Sequence, residues 1–185
     1  TPNADYTTSF FGRSPNRSSN SQIYSNETCL AGAGSLYLEF GSLSRLLNDP
    51  NYERLARKSI KALWRRKSSV TGLFGNTINV ETGEWTSHMS GLGAGYDSFY
   101  EYLLKSYILF DDVEMKLMFE EALASIRHYL KRGRFSCTKS SGSPPFYINA
   151  DMLSGHPLHY WVDALQAAWP SILVLSGQVD EAICL

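Results

Sequence analysis

Two short junctions, Asn48-Asp49-Pro50 and Asp111-Asp112, constrain this chain most, because each joins two runs whose apolar residues recur at helical spacing. From about Ala31 to Leu47, the residues Leu36, Phe40, Leu43 and Leu47 share one helical face. Asp49 can cap the next run, Pro50 suits a first helical position, and Glu53 sits in the first turn, where the helix dipole favours an acid. That run, about 50–66, points Tyr52, Ala56, Ile60 and Leu63 inward and closes on Arg65, Arg66 and Lys67, which read as a solvated helix end. A third helix is expected over about Tyr96–Phe110. Asp111, with Glu114 three residues on, reads as a capping box opening a fourth helix to about Arg132, with Phe119, Leu123, Ile126 and Leu130 inward. Junctions this short make antiparallel neighbours, so the helices are expected to pair as hairpins.

Between the pairs the period changes. Ile78 and Val80 alternate ahead of a Glu81-Thr82-Gly83 turn, a β-hairpin signal. Ser141–Pro145 breaks the chain, and a final helix is expected from about Pro157 to Leu175 with Trp161, Leu165 and Ala168 aligned. Residues 1–28 are rich in Ser and Asn without period, a polar loop or disordered arm. The fold class that follows is all-α: stacked helical hairpins with a β-hairpin between them, in preference to a compact four-helix bundle.

Charge narrows the partners. Seventeen basic residues against 18 acidic ones leave a net charge of -1 over 185 residues, so no global field draws the chain to nucleic acid or to an anionic membrane. No apolar run approaches the roughly 18 residues that span a bilayer. The chain opens on Thr1 and stops within the helix-like "GQVDEAICL", which reads as a fragment. Cys29, Cys137 and Cys184 fit neither a C-x-x-C pair nor a zinc pattern; they are either buried thiols or one disulfide plus a spare. Sequons at Asn16 ("NRS") and Asn26 ("NET") in the polar opening lean toward a secretory lumen.

The chemistry concentrates in "SGLGAGYDSFYEYLLK" (90–105). Asp97 and Glu101 are four apart and share a helical face, and Glu101 can instead pair with Lys105. The preceding glycines leave the backbone approachable. A phosphate loop is a weak reading, since no G-K-[ST] ending follows. A carbohydrate suits the segment better: sugars need close backbone approach, carboxylates that accept hydroxyl pairs, and flat aromatic faces such as Trp85, Tyr96, Phe99 or Trp161, with core packing as the alternative use of those rings. His156 and His159 read as loop histidines, because no third ligand stands near them in the sequence.

Four blocks go further: "AGAGSLYLEFGSLSRLLND" (31–49), "TGLFGNTINVETGEW" (71–85), "SGLGAGYDSFYEYLLKSYILF" (90–110) and "WVDALQAAWPSILVLSG" (161–177). In order, they resemble consecutive blocks of the class I α-1,2-mannosidases of glycoside hydrolase family 47, above all the ER-degradation-enhancing mannosidase-like branch. The resemblance covers about Asn26 to Leu185. It implies that residues 29–185 are a middle portion of an (α/α)7 barrel. It also implies a calcium-dependent, inverting mannosidase of the endoplasmic reticulum lumen that trims α-1,2-linked mannose from N-glycans of misfolded glycoproteins.

On this resemblance Asp97 is an essential acid of the active site. Its position in a first helical turn favours a base or electrostatic role, neighbouring carboxylates would favour acid duty, and both stay open here. Asp163 aligns with an acidic position of the cleft and is a sugar contact, followed by Glu101 and Glu39; a buried, paired structural acid is the other reading of Glu39. The family's other essential acids and its calcium ligands are expected outside this stretch, so the isolated chain is expected to be inactive. Where Gly95 and Gly32 stand, processing mannosidases carry an arginine and a glutamate, which implies a wider cleft here. The partner implied is a high-mannose N-glycan, with a redox or degradation-machinery partner besides. The alternative to an enzyme is a lectin-like protein that recognises such glycans or misfolded glycoproteins without cutting.

Overall fold

The structure is a computed structural model that describes residues 26–134 and 143–185. Two helical hairpins form its frame. The first joins α2 (Tyr37–Leu47) to α3 (Asn51–Trp64), and the second joins α4 (Asp97–Phe110) to α5 (Val113–Tyr129). Both turns use a left-handed residue to stop the first helix: Asn48 at φ 52° and Asp111 at φ 56°, with Asn and Asp tolerating this conformation better than other residues do. The Asp49 carboxylate then accepts from Asn51 N at 3.0 Å. In the second turn the cap is Asp112, which accepts from Met115 N, and not Asp111. Glu114 is drawn away from a capping box by Arg57 and Lys61.

The helices alternate in direction. Ser98 Oγ donates to Ser35 Oγ at 3.2 Å, and Tyr102 Oη donates to Glu39 at 2.6 Å. Equal steps along both helices mean that α2 and α4 run parallel with their N-termini at one end. Between them and α3 and α5 sits an aromatic core. Phe74 meets Phe99 edge-on at 5.2 Å, and Tyr100 meets Trp169 at 6.0 Å, geometries that suit the ring quadrupoles. Ile60, Leu103, Phe119 and Ile126 fill in around the rings. This is the expected stacking of helical hairpins.

Four expectations change in detail. The first helix is split into α1 (Leu30–Gly34) and α2, and the buried face of α2 is Tyr37, Gly41 and Ser44, with Leu47 57% exposed. At the split, Gly34 lies so close to Phe99 that a Cβ would stand 2.2 Å from the ring. The Ile78 strand, β2 (Thr77–Asn79), pairs mainly with β1 (Glu27–Cys29), so residues 27 and 28 of the expected arm are already in a sheet. Across the Gly83 turn only Ile78 and Trp85 bridge.

The expected helix from Pro157 begins instead as a strand. β3 (Met89–Ser90), β6 (Asn149–Asp151) and β7 (Pro157–His159) form a three-stranded sheet, and the fourth helix gives way to a strand pair, β4 (Lys131–Arg132) with β5 (Phe146–Tyr147). Helix resumes only at Asp163, whose carboxylate caps a 3-10 turn (Ala164–Ala168) leading into α6 (Trp169–Leu175) and then α7 (Val179–Ile183). Trp161 therefore lies outside the helix and is exposed.

Candidate active site

The glycine-rich segment between β3 and α4 is the centre of the end where α2 and α4 begin. Its backbone is held from several sides. Tyr96 Oη donates to Met89 O, closing the segment on itself. Ala31 N donates to Gly95 O at 2.8 Å, and Asn76 Nδ2 donates to Ala94 O at 2.9 Å. Gly95 sits at φ +90°, a conformation that penalises any side chain. The three missing side chains leave room for polar groups of the protein itself. A Cβ on Gly91 would stand 2.1 Å from Asn149 Oδ1, one on Gly93 1.8 Å from Asp163 Oδ2, and one on Gly95 2.6 Å from Asn76 Nδ2. The clearance serves these side chains, and the place left by an arginine at position 95 is taken by Asn76.

The four sequence-derived acids divide by what already holds them. Asp163 is held on both oxygens: Oδ2 accepts from Ala94 N at 3.0 Å, and Oδ1 accepts from Leu165 N at 2.8 Å and Gln166 N at 3.1 Å. One carboxylate thus locks the glycine segment to the 3-10 turn 69 residues later. Glu101 pairs with Lys105 one turn on. Glu39 is exposed, not buried, and accepts from Tyr102 Oη. Asp97, half-buried at the first position of α4, has no hydrogen-bond or ion-pair partner for its carboxylate among the described residues.

Tyr102 is a residue that the sequence reading passed over. Its phenol is pushed up to about 12 by partial burial, by its bond to Glu39 and by the Glu101 charge. Tyr102 therefore joins the Glu39 and Glu101 carboxylates from two helices. Its sequence signal was there to use: it follows Glu101 directly and lies 63 residues after Glu39, the offset that also pairs Ser98 with Ser35.

Of the flat rings considered for a sugar, Tyr96 and Phe99 are core residues. Trp85 is half-buried and donates its indole N–H to Arg66 O. Trp161 is 53% exposed and lies two residues before Asp163, so it is the ring free to stack. Burial as the main cause pushes the Tyr96 phenol well above its ordinary value, which makes it a structural hydroxyl at any physiological pH.

No group of three or more His, Cys, Asp or Glu side chains among the described residues is arranged to hold a metal ion. The donors among the described residues do not make a calcium site. His159 lies against Trp161, ring centroids 5.8 Å apart. Cys29 is a free thiol that accepts from Gly32 N, while Cys184 is disulfide-bonded. Asn26 is exposed just before β1; Asn16 and Cys137 lie outside the described residues. Among the described residues no helix is long and apolar enough to cross a membrane.

A parallel pair of helices with carboxylates at their starts, backed by an antiparallel pair, is the repeating unit of a helical barrel. The sequence pattern of Glycosyl hydrolase family 47 matches residues 5–183. The chain belongs to this family. It is 44% identical over 156 residues to alpha-mannosidase I MNS5 of Arabidopsis thaliana, covering 84% of this chain and 25% of the relative. With ER degradation-enhancing alpha-mannosidase-like protein 3 of Homo sapiens it shares 38% identity over 161 residues, 85% of this chain and 16% of the relative. The chain therefore spans a quarter or less of these relatives' length. Among solved structures, alpha-1,2-mannosidase from Trichoderma reesei superposes with a TM-score of 0.68 at 23% identity, over 86% of this chain and 34% of that one. The fold is thus part of the (α/α)7 barrel of family 47.

Proposed function

We propose that the protein hydrolyses α-1,2-linked mannose from high-mannose N-glycans of misfolded glycoproteins in the lumen of the endoplasmic reticulum, with inversion, as a calcium-dependent mannosidase acting in ER-associated degradation. The observation that carries the assignment of chemistry is Asp97. Of the four acids around the mouth it alone keeps its carboxylate unengaged among the described residues, while Asp163, Glu101 and Glu39 each have a partner. Inversion needs one carboxyl group to protonate the leaving oxygen and a second to activate water, about 6.5–9.5 Å away. Asp97 supplies one of the two.

Asp163 shapes this site by holding Ala94, its Oδ2 keeps an acceptor position for a sugar hydroxyl, and Glu101, Glu39 and Tyr102 are further sugar contacts, with Trp161 as a stacking face. In this reading the calcium ligands and the second carboxyl group lie outside these 185 residues, so the 185-residue chain alone releases no mannose. Asn26, exposed beside a β-strand, and Asn16 are the glycan acceptors of the chain itself. A redox or degradation-machinery partner completes the setting.

The test is Asp97→Asn in the protein as expressed in cells, assayed for release of mannose from a high-mannose N-glycan and for binding of the same glycan. Loss of release with binding retained is expected. Binding without release in the unmutated protein would instead favour a lectin-like role, and unchanged release in the variant would remove Asp97 from the mechanism.

A further inference from the structure

Charge in this chain is segregated. Seven of the 17 Lys and Arg residues fall between positions 54 and 67, a span without a single Asp or Glu, so the rest of the chain carries ten bases against all 18 acids. Part of this charge is compensated inside the fold. Arg57 meets Asp112 and Glu114, Lys61 also meets Glu114, and Lys67 meets Glu121. Arg66 donates to the carbonyls of Gly83 and Ala62. Arg54, Lys58 and Arg65 are different: all three are exposed, and none has a carboxylate partner among the described residues. Arg54 bonds only to the Asn51 amide oxygen.

These three, with Lys61, lie at steps of four, three and four along α3, which is one straight stripe on the helix surface. The stripe is about 16 Å long at the rise of an α-helix. With Pro50, Glu53 and Arg57 it lines a shallow, open pocket of about 460 Å³ on the surface of this one helix. Glu53 does not neutralise the stripe, because Arg45 already holds its carboxylate at 2.8 Å. Among the described residues α3 packs through Ala56, Ser59, Ile60 and Leu63, on the side away from this stripe.

We propose that the outer face of α3 is a docking site for an extended acidic peptide segment of a partner protein. Successive same-face residues of an extended strand are about 6.6–6.8 Å apart, close to the roughly 6 Å between i and i+4 on a helix. Acids at alternate positions of such a segment therefore match the roughly 6 Å step from Arg54 to Lys58, and Arg65, about 10.5 Å further along the helix, meets an acid nearer the end of the segment. Length favours a peptide over a small anion, which would meet one or two of these cations and leave the others unpaired. A long nucleic acid would run off the stripe onto a surface where acids outnumber bases. The proposal is independent of the chemistry at the α4 mouth.

The probe is a fluorescein-labelled decapeptide of alternating Glu and Ser, titrated with the full chain and read by anisotropy. Binding is expected at about 50 mM salt and is expected to weaken severalfold by about 300 mM, as screening shortens the reach of the charges. The triple variant Arg54→Glu/Lys58→Glu/Arg65→Glu should bind at least about tenfold more weakly, because each reversal replaces an attraction by a repulsion. Circular dichroism checks its helicity, and the neutral Arg54→Gln/Lys58→Gln/Arg65→Gln set gives the same readout with a smaller loss should the reversal unfold the chain. Lys116→Glu on α5, outside the pocket, should bind as before. Unchanged affinity in both triple variants overturns the proposal, and so does displacement of the peptide by inorganic phosphate or by a single-stranded oligonucleotide at equal concentration.

Discussion

Asp97 and Asp112 stand at the two ends of α4, and each sits where a helix begins: Asp97 opens α4 and Asp112 caps α5. Their surroundings are opposite. Asp112 is 7% exposed, accepts from the Tyr37 hydroxyl at 2.9 Å and from Met115 N, and meets the Arg57 guanidinium. The Tyr37 phenol is pushed far up, by burial first and then by these acid neighbours, so it stays a donor to them. Asp97 has the same helix-start position and no such partners among the described residues. A carboxylate at a helix start is therefore not yet a site. What separates a bolt from a catalyst is whether the fold has already spent the lone pairs.

The comparison is tested most sharply by removing each charge. Asp97→Asn in the protein as expressed in cells should lower mannose release by about a thousandfold or more, within the range that a positioned acid or base contributes, while the urea midpoint stays where it was. Asp112→Asn should do the reverse. It leaves Arg57 with Glu114 alone and should cost about 2 kcal/mol of stability, less than a fully buried pair because Arg57 remains partly exposed. Equilibrium unfolding in urea measures that loss. Equal effects of the two variants on both readouts would erase the distinction.

A second bolt extends the comparison to pH. Glu181 on α7 takes Lys131 at 2.8 Å, Arg127 and the Tyr147 hydroxyl. Burial alone would raise its pKa, but Lys131, Tyr147 and Arg127 outweigh it and hold the carboxyl below its ordinary value. A carboxylate lowered in the folded state adds stability above the unfolded pKa, about 4.3 for Glu, and loses it as pH falls through the folded value. Stability should therefore drop from about pH 4.5 downward, and Glu181→Gln should flatten that slope while costing about 2 kcal/mol at neutral pH. Thermal unfolding between pH 3 and pH 7 checks the sign. A slope that is steeper in the variant would contradict the bolt.

These contrasts also mark what the sequence could and could not reveal. Helical spacing located the buried faces of α3 and α5, because Ala56, Ile60, Leu63, Phe119 and Ile126 repeat at the period that packing requires. It misplaced the cap of α5 by one residue, since Asp111 and Asp112 offer the same side chain and only the left-handed turn at Asp111 decides between them. It extended the last helix back to Pro157, where pairing with β6 is a tertiary event without a local signal. At the site, the glycine-then-acid order located Asp97. The uses of Asp163 and of the three glycines were hidden, because each depends on a partner 19 or more positions away in the sequence.

Asp163 lies between bolt and catalyst in the size of its effect. Asp163→Ala removes the acceptor for Ala94, Leu165 and Gln166 together. Loss of a helix cap alone costs about 1 kcal/mol, and release of the glycine segment adds to it. Amide exchange at Ala94 should quicken along with that at Leu165, although the two lie in different segments. Faster exchange at Leu165 alone would show that the segments are held independently.

Glu101 gives the smallest expected change in stability and for that reason the cleanest reading. Its pairing with Lys105 is an exposed i,i+4 contact of the favoured orientation, worth a few tenths of a kcal/mol. Glu101→Gln should therefore leave the urea midpoint almost unmoved. If Lys105 is all that Glu101 serves, glycan affinity and mannose release should be equally unmoved. A severalfold rise in KM at constant stability would place Glu101 with Asp97 on the working side of the comparison. The Tyr102 phenol offers an internal check, because the Glu101 charge contributes to holding it near 12. In Glu101→Gln that phenol should titrate lower, a shift that ultraviolet difference spectra can follow.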